Sequence, residues 1–349
     1  MGRLNKKWKI IINIVAVVIL LAGVLTSLMY SILITGAKNM DSDSKKLVSG
    51  SNSDSESVET AVVYNRNTYA YKKGLINILV LGIDGEGNLY DGHTAGNMGQ
   101  SDAIYLLSID TINKKISVIG IPRDTMTSVR FFDQDGSLTT ANTAQIAVQY
   151  AFGSDIDDSL NLTANAVSKL LYNVSIDRVM ALSINSIGII NDAIGGVDVT
   201  IENDFTDESG EILEESFIKG NTVHLEGDSA RVFVQERDCN IAGSAMDRLS
   251  RQEQYFEKFI PKAKKAVKRN VFLGIDICNK LDKKGMMYTD MSMSEIAYVI
   301  SEVLKWELSC DEIKTIPGKI KYGKQYEEYH VDFEKLRQMV MDAFYEKIK

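Results

Sequence analysis

Apolar positions fall into two periods along this chain, and their alternation points to an α/β protein. Ile76 to Ile83 (INILVLGI) is a continuous apolar run of strand length, with Gly74 before it and the Asp84-Gly85-Glu86-Gly87-Asn88 cluster after it. That pattern predicts a buried strand. Ala103 to Asp110 and Lys115 to Pro122 are two further β-rich runs, separated by Thr111 to Lys114. The gap is too short for a crossover helix, so the two should form an antiparallel hairpin. With Ile112-Asn113 as a two-residue turn, paired positions sum to 225, which carries the register out to Asp102 opposite Arg123.

Further along, the period lengthens. Ala144, Ile146, Ala147, Tyr150 and Ala151 suggest one helix, and Leu162, Ala166, Leu170 and Leu171 a second. Val179 to Ile184 reads as a strand, Ser186 to Ile194 as a short helix stopped by Gly195-Gly196, and Val197 to Ile201 as another strand. Arg231 to Arg237 (RVFVQER) is read as a strand, and a helix is expected from about Ser244, with Leu249, Phe256, Ile260, Ala263 and Val267 as its apolar stripe and a kink at Pro261. A helix over Ser292 to Trp306, a strand near Ile313 to Ile316, the Pro317-Gly318 turn and a helix from Asp332 complete the chain. The predicted fold is α/β, a mixed central sheet flanked by helices.

The amino terminus breaks this pattern. Ile10 to Ala37 contains no charged side chain. At 1.5 Å per residue its length is roughly 42 Å, enough to cross a bilayer core of ~30 Å. A cleaved signal peptide is the competing reading, but its apolar stretch is about half as long. Arg3, Lys6, Lys7 and Lys9 precede the run, which places the amino terminus in the cytoplasm. Lys38 to Val58, rich in Ser, Asp and Gly, cannot bury enough surface to fold and reads as a tether. The expected organisation is a cytoplasmic end at 1–9, a transmembrane helix at 10–37, a linker at 38–72 and an extracellular domain at 73–349, with its core at 73–268 and a carboxy-terminal extension at 269–349. Localisation is then the cell membrane, single-pass, with the main domain outside.

Composition narrows the chemistry. The 349 residues carry 39 Lys plus Arg against 47 Asp plus Glu, a formal charge of −8, which argues against nucleic acid as a partner. Three His and three Cys, all far apart in sequence, leave too few ligands for a zinc site. Cys239, Cys278 and Cys310 do not read as a disulfide framework, and one bridge between Cys278 and Cys310 stays open.

Charged residues collect at strand ends instead. If the first strand runs parallel to the third, Asp84 arrives beside Asp102 and Arg123 at the edge where open α/β sheets hold ligands. The bland alternative is a surface salt bridge between Asp102 and Arg123. Arg248, Arg251 and Gln252 share one face at the start of the long helix by their spacing. Arginines there oppose the helix dipole, which favours an anionic partner; pairing with Asp238, Asp247 and Glu253 is the competing reading.

Together NILVLGID (77–84), SDAIYLLSID (101–110), IPRDT (121–125), DAIGGVDV (192–199) and LEGDSARVFVQERD followed by DRLSRQ (247–252) resemble the LytR-CpsA-Psr (LCP) family. The resemblance implies a membrane-anchored enzyme that moves a glycopolymer, such as teichoic acid or capsular polysaccharide, from a polyprenyl pyrophosphate carrier to peptidoglycan. It implies Asp84, Asp102, Arg123 and Arg237 as catalytic residues and Gln100, Gln235, Arg248, Arg251 and Gln252 as substrate contacts. Asp84 and Asp102 would organise magnesium, or manganese, an ion suited to carboxylates and substrate phosphates. Two positions depart from the family pattern: Gln100 and Gln235 stand where it commonly has arginine, each losing a charge and a bidentate donor. A non-catalytic, membrane-anchored binder of polyprenyl-linked glycans is the alternative that these departures keep open.

Overall fold

The computed structural model describes residues 29–40, 61–84, 88–91, 94–133, 135–203, 216–236, 244–270, 272–305, 313–323 and 326–348. Residues 29–40 are helical (α1). At the centre lie β3 (Leu75–Ile83), β4 (Ser101–Asp110), β5 (Lys115–Gly120), β8 (Arg178–Ser183), β11 (Met287–Thr289) and β12 (Ile313–Thr315). They form a six-stranded sheet in the order β11-β8-β3-β4-β5-β12. β3 runs parallel to β8, and β5 parallel to β12, whereas β4 is antiparallel to both β3 and β5. β3, β5, β8 and β12 therefore point the same way, and their carboxyl ends share one edge with the start of β4.

The expected hairpin register holds: Tyr105 pairs with Gly120, and Asp110 with Lys115. The apolar run of β3 is continuous because helices cover both of its faces. Leu79, Leu81 and Ile83 enter one buried cluster with α2 (Ile156–Leu170) and α8 (Phe333–Phe344). Ile76 and Ile78 enter another with Met40 of α1 and Ile296 of α7 (Met293–Lys305), against which Cys278 of α6 (Leu273–Lys283) also packs. A third cluster joins β9 (Val197–Thr200), β10 (Thr222–Leu225), α4 (Asp228–Gln235) and α5 (Ser244–Arg269), with Ile187 of α3 (Ser186–Ala193) against it.

Several sequence readings are corrected. Arg231 to Gln235 belongs to helix α4, not to a strand. Ala230, Phe233 and Val234 are the buried residues of α4, an i, i+3, i+4 stripe that shows only when the preceding Asp228-Ser229-Ala230 is counted in. Residues 138–145 form β7 (Leu138–Gln145), a solvent-facing strand paired with β6 (Met126–Phe132), and only Ile146–Phe152 turns helically, as a 3-10 segment. The expected helix from Ser244 is present as α5, with Pro261 inside it.

The ordered domain also begins earlier than residue 73. β1 (Val62–Tyr64) and β2 (Asn67–Tyr71) form a three-stranded sheet with β15 (Tyr345–Lys347), so 62–71 is folded rather than linker. Nor is 269–349 an appendage. β12 is an edge strand of the central sheet, and Leu336, Val340 and Phe344 of α8 are at most 1% exposed in the main core. Among the described residues no helix is long and apolar enough to cross a membrane, and residues 1–28 and 41–60 lie outside them. Cys278 is half-buried and unpaired among the described residues, which exclude Cys239 and Cys310.

Candidate active site

At the shared strand edge, three loops converge. Asp84 follows β3, and its Oδ1 accepts the Gln100 backbone N–H at 2.5 Å while its own N–H donates to the Gln100 carbonyl at 3.1 Å. This pair staples the end of β3 to the start of β4. Asp102, on β4, accepts a hydrogen bond from Arg123 Nη1, and Arg123 Nη2 donates to Gln100 Oε1 at 2.6 Å. The α5 face adds Arg248, whose Nη1 lies 4.0 Å from Asp102 Oδ2. The side chains of Asp102, Arg123 and Arg248 are 11%, 19% and 11% exposed, too enclosed for an ordinary surface ion pair.

Burial pushes the Asp102 carboxyl above its ordinary pKa. Arg123 opposes that shift, the like charge of Asp84 adds to it, Arg248 opposes it and Asp124 adds to it. Arg123 Nε is buried, has no hydrogen-bond partner among the described residues, and stands 3.7 Å from Asp124 Oδ1. A buried N–H left without a partner in a native site is costly, and a bound anion would satisfy it.

Asp102, Arg123, Asp124 and Arg248 line a cavity of ≈1030 Å³, whereas Asp84 and Gln100 do not line it. Its floor is apolar, with Ile104, Tyr105 and Ile121, and burial raises the Tyr105 hydroxyl to about 12. Its far wall is the hairpin of β13 (Gly318–Tyr322) and β14 (Glu327–Val331). That hairpin is held to the Arg123 loop by the Tyr329 N–H, which donates to the Asp124 carbonyl at 2.8 Å. The sequence offered no signal for this wall beyond the Pro317-Gly318 turn, because its residues come from the last segment of the chain.

The other expected contacts divide. Gln252 lines the cavity and also donates from Nε2 to the Val234 carbonyl at 3.0 Å. Arg251 turns away from it: Nε donates to the Phe233 carbonyl at 2.8 Å and Nη2 to that of Glu236. It satisfies carbonyls at the end of α4 and does not line the cavity. Gln235 accepts from Arg231 Nη1 at 2.8 Å and does not line the cavity. Arg237 lies outside the described residues, as does His93.

For a hard divalent cation, the donor set on offer is Asp102, on the cavity lining, with Asp84 as its neighbour in charge. One or two carboxylates with substrate phosphates suffice for magnesium, and a bound cation would offset the like charge of Asp84 that adds to the burial raising Asp102. No group of three or more acidic, His or Cys side chains suited to a metal occurs among the described residues. The described carboxylates are a donor set that substrate phosphates would complete.

The LytR_cpsA_psr family model matches residues 30–343, nearly all of the described chain. The chain belongs to the LytR_cpsA_psr family. It is 29% identical over 252 residues to the polyisoprenyl-teichoic acid–peptidoglycan teichoic acid transferase TagU of Bacillus mycoides (strain KBAB4), covering 72% of this chain and 69% of that one. The match to the protein of the same name from Bacillus cereus (strain ATCC 14579) is 30% over 187 residues, 54% of this chain, and spans about half of that relative's length, 52%. Among solved structures, TagT bound to LIIa-WTA superposes with a TM-score of 0.56 at 17% identity, over 78% of this chain and 90% of that one. That likeness shows the fold. As a LytR_cpsA_psr domain, the chain departs from the expected arginine at Gln100, yet Gln100 accepts from Arg123 there, which an arginine could not do.

Proposed function

We propose that this protein is a membrane-anchored phosphotransferase of cell-wall biogenesis. It moves a glycopolymer of teichoic acid or capsular polysaccharide type from a polyprenyl pyrophosphate carrier to peptidoglycan. The relatives' names support the substrate classes. The observation that carries the reading is the buried Arg123 Nε, without a hydrogen-bond partner among the described residues, on a cavity that Arg248, Ile104, Tyr105 and Ile121 also line. A pyrophosphate attached to a prenyl chain suits a lining that sets Arg123 and Arg248 beside Ile104, Tyr105 and Ile121.

In the proposed reaction a hydroxyl of the peptidoglycan acceptor, the 6-hydroxyl of its N-acetylmuramic acid, attacks the sugar-side phosphorus and gives up its proton to one of the two carboxylates, Asp84 or Asp102. The bond from that phosphorus to the bridging oxygen breaks, and polyprenyl phosphate leaves with that oxygen. Arg123 and Arg248 hold the phosphates through charge-assisted donors, with Arg237 as the third cation. Gln100 keeps Arg123 oriented through its Oε1 and Asp84 through its backbone N–H. Gln252 adds an amide at the cavity wall. Asp84 and Asp102 would hold magnesium, or manganese, which when bound neutralises charge building on the transferring phosphoryl group. The anchor is the apolar run at 10–37, which would place the domain outside the cell membrane, next to a lipid-borne donor.

Full-length protein is incubated with a polyprenyl-pyrophosphate glycan and peptidoglycan fragments, with and without magnesium. Metal-dependent release of polyprenyl phosphate with a new glycan linkage is the expected result, and Arg123→Ala should lose about 1.5 to 3 kcal/mol of donor binding. Tight donor binding with no turnover at any metal concentration would replace the enzyme by a glycan-lipid binder.

A further inference from the structure

The sequence suggests that the domain hangs on a tether that starts at Lys38. The structure departs from this at α1. Met40 is 5% exposed and packs with Ile76, Ile78, Ile109, Met291 and Ile296. The Asn39 carbonyl accepts Arg178 Nη2 at 3.0 Å. Arg178 is itself 2% exposed and donates from Nη2 and Nε to Glu295 Oε1 at 2.7 and 3.1 Å. Glu295 in turn closes a capping box at the start of α7, taking the Ser292 N–H and hydroxyl on Oε2 at 2.8 and 2.6 Å. At Gly36 the two helices cross so closely that a Cβ would collide with the Ser294 carbonyl oxygen, lie 2.6 Å from its carbon and 2.9 Å from Tyr298 Cβ. Only glycine permits that approach, and the obstructing carbonyl is backbone.

We propose that the apolar amino-terminal run does two jobs: residues from 10 to about 30 cross the bilayer, and residues 31–40 dock on α7 and β8, so that the domain is held at a fixed orientation to the membrane. This rests on the span and on the lipid-borne donor of the proposed function. The run is roughly 42 Å long as a helix against a core of ~30 Å. The surplus is about eight residues, and Leu33, Gly36 and Ala37 within it are the less exposed positions, whereas Tyr30, Ile32 and Ile34 remain exposed. Arg178 pairs in register with Ile78, six residues before Asp84. At 3.3 Å per residue the docking point is about 20 Å down the strands from the site, a fixed offset between the membrane exit and the reacting phosphates.

The test uses the full chain with a specific protease site inserted between Gly50 and Ser51 and a carboxy-terminal tag, purified in detergent and cleaved to completion. The amino-terminal piece should stay bound to the tagged domain in the parent and be released in Gly36→Ala. Alanine favours the helix more than glycine does, so this change penalises docking alone. Release in the parent, or equal retention in both, overturns the proposal. A second arm compares donors in nanodiscs. Gly36→Ala should lower kcat/KM by about tenfold on a membrane-embedded donor and leave a short-chain, water-soluble donor unchanged; equal rates with the embedded donor overturn the orienting role. If neither protein turns over either donor, the transferase reading fails and retention alone decides the docking.

Discussion

Asp102 is a carboxylate under opposing demands. Burial and the neighbouring charges of Asp84 and Asp124 raise its pKa, and Arg123 and Arg248 pull it back. The net shift is upward, so the ionised form is complete only above the ordinary carboxylate range. Removing a cation must move it further up. Arg248→Met should therefore shift the acid limb of the transfer rate to higher pH, which a pH profile of kcat/KM measures; an unmoved limb would mean that Asp102 does not titrate in the rate-determining form. Glu295 shows the opposite sign. Burial raises it, but the hydrogen bonds from Ser292 and Arg178 outweigh that and hold it below its ordinary value. A lowered folded-state pKa gives stability that is present at neutral pH and lost as pH falls through that value. Glu295→Gln should flatten this acid-side loss. It also removes the carboxylate that pairs with buried Arg178 while the charge of Asp290 stays close by, so the cost in urea unfolding at pH 7 should fall below the about 3 to 5 kcal/mol of an uncompensated buried charge.

Among the elements, the joint between α4 and α5 shows what a charged motif can conceal. The spacing of Arg248, Arg251 and Gln252 correctly put all three near one another, but i+3 and i+4 neighbours on a helix still diverge by tens of degrees. Arg248 faces Asp102, while Arg251 closes the carbonyl end of α4. Burial also pulls the Arg251 guanidinium down to about 10, as expected of a cation enclosed by carbonyls rather than by solvent. Arg251→Met should lower unfolding free energy by about 1.5 to 3 kcal/mol, because those carbonyls lose charged donors. Arg123→Ala should instead act mainly on donor binding. Chemical denaturation beside a lipid-pyrophosphate binding assay separates the two.

The whole molecule depends on chain ends that looked dispensable. β2 pairs with both β1 and β15, and Lys72 Nζ donates to the Asp342 and Ala343 carbonyls at 2.9 and 2.8 Å, so the amino- and carboxy-terminal parts of the domain close on each other. α8 fills the core beneath β3. Leu336→Ala should cost about 2 to 5 kcal/mol although it is far from the charged cluster, as calorimetry or urea unfolding would register.

What the sequence determined by itself was local: strands whose apolar runs are continuous, a hairpin whose short turn fixes its register, and therefore the meeting of Asp102 with Arg123. Asp84 joined them because a run as apolar as β3 must lie inside the sheet, and sheet direction then delivers its end to that edge. Tertiary structure decided everything that depends on contacts across long separations. The period-2 look of Val232 and Val234 yielded to a helix because Ala230, Phe233 and Val234 meet β9 and α5 on one side. Arg251 and Gln235 left the site because their hydrogen bonds are satisfied within and beside α4. The cavity wall came from β13 and β14, and the buried Arg178 came to face α1, through packing between segments more than a hundred residues apart. Periodicity records which face of an element is buried, but not which partner buries it.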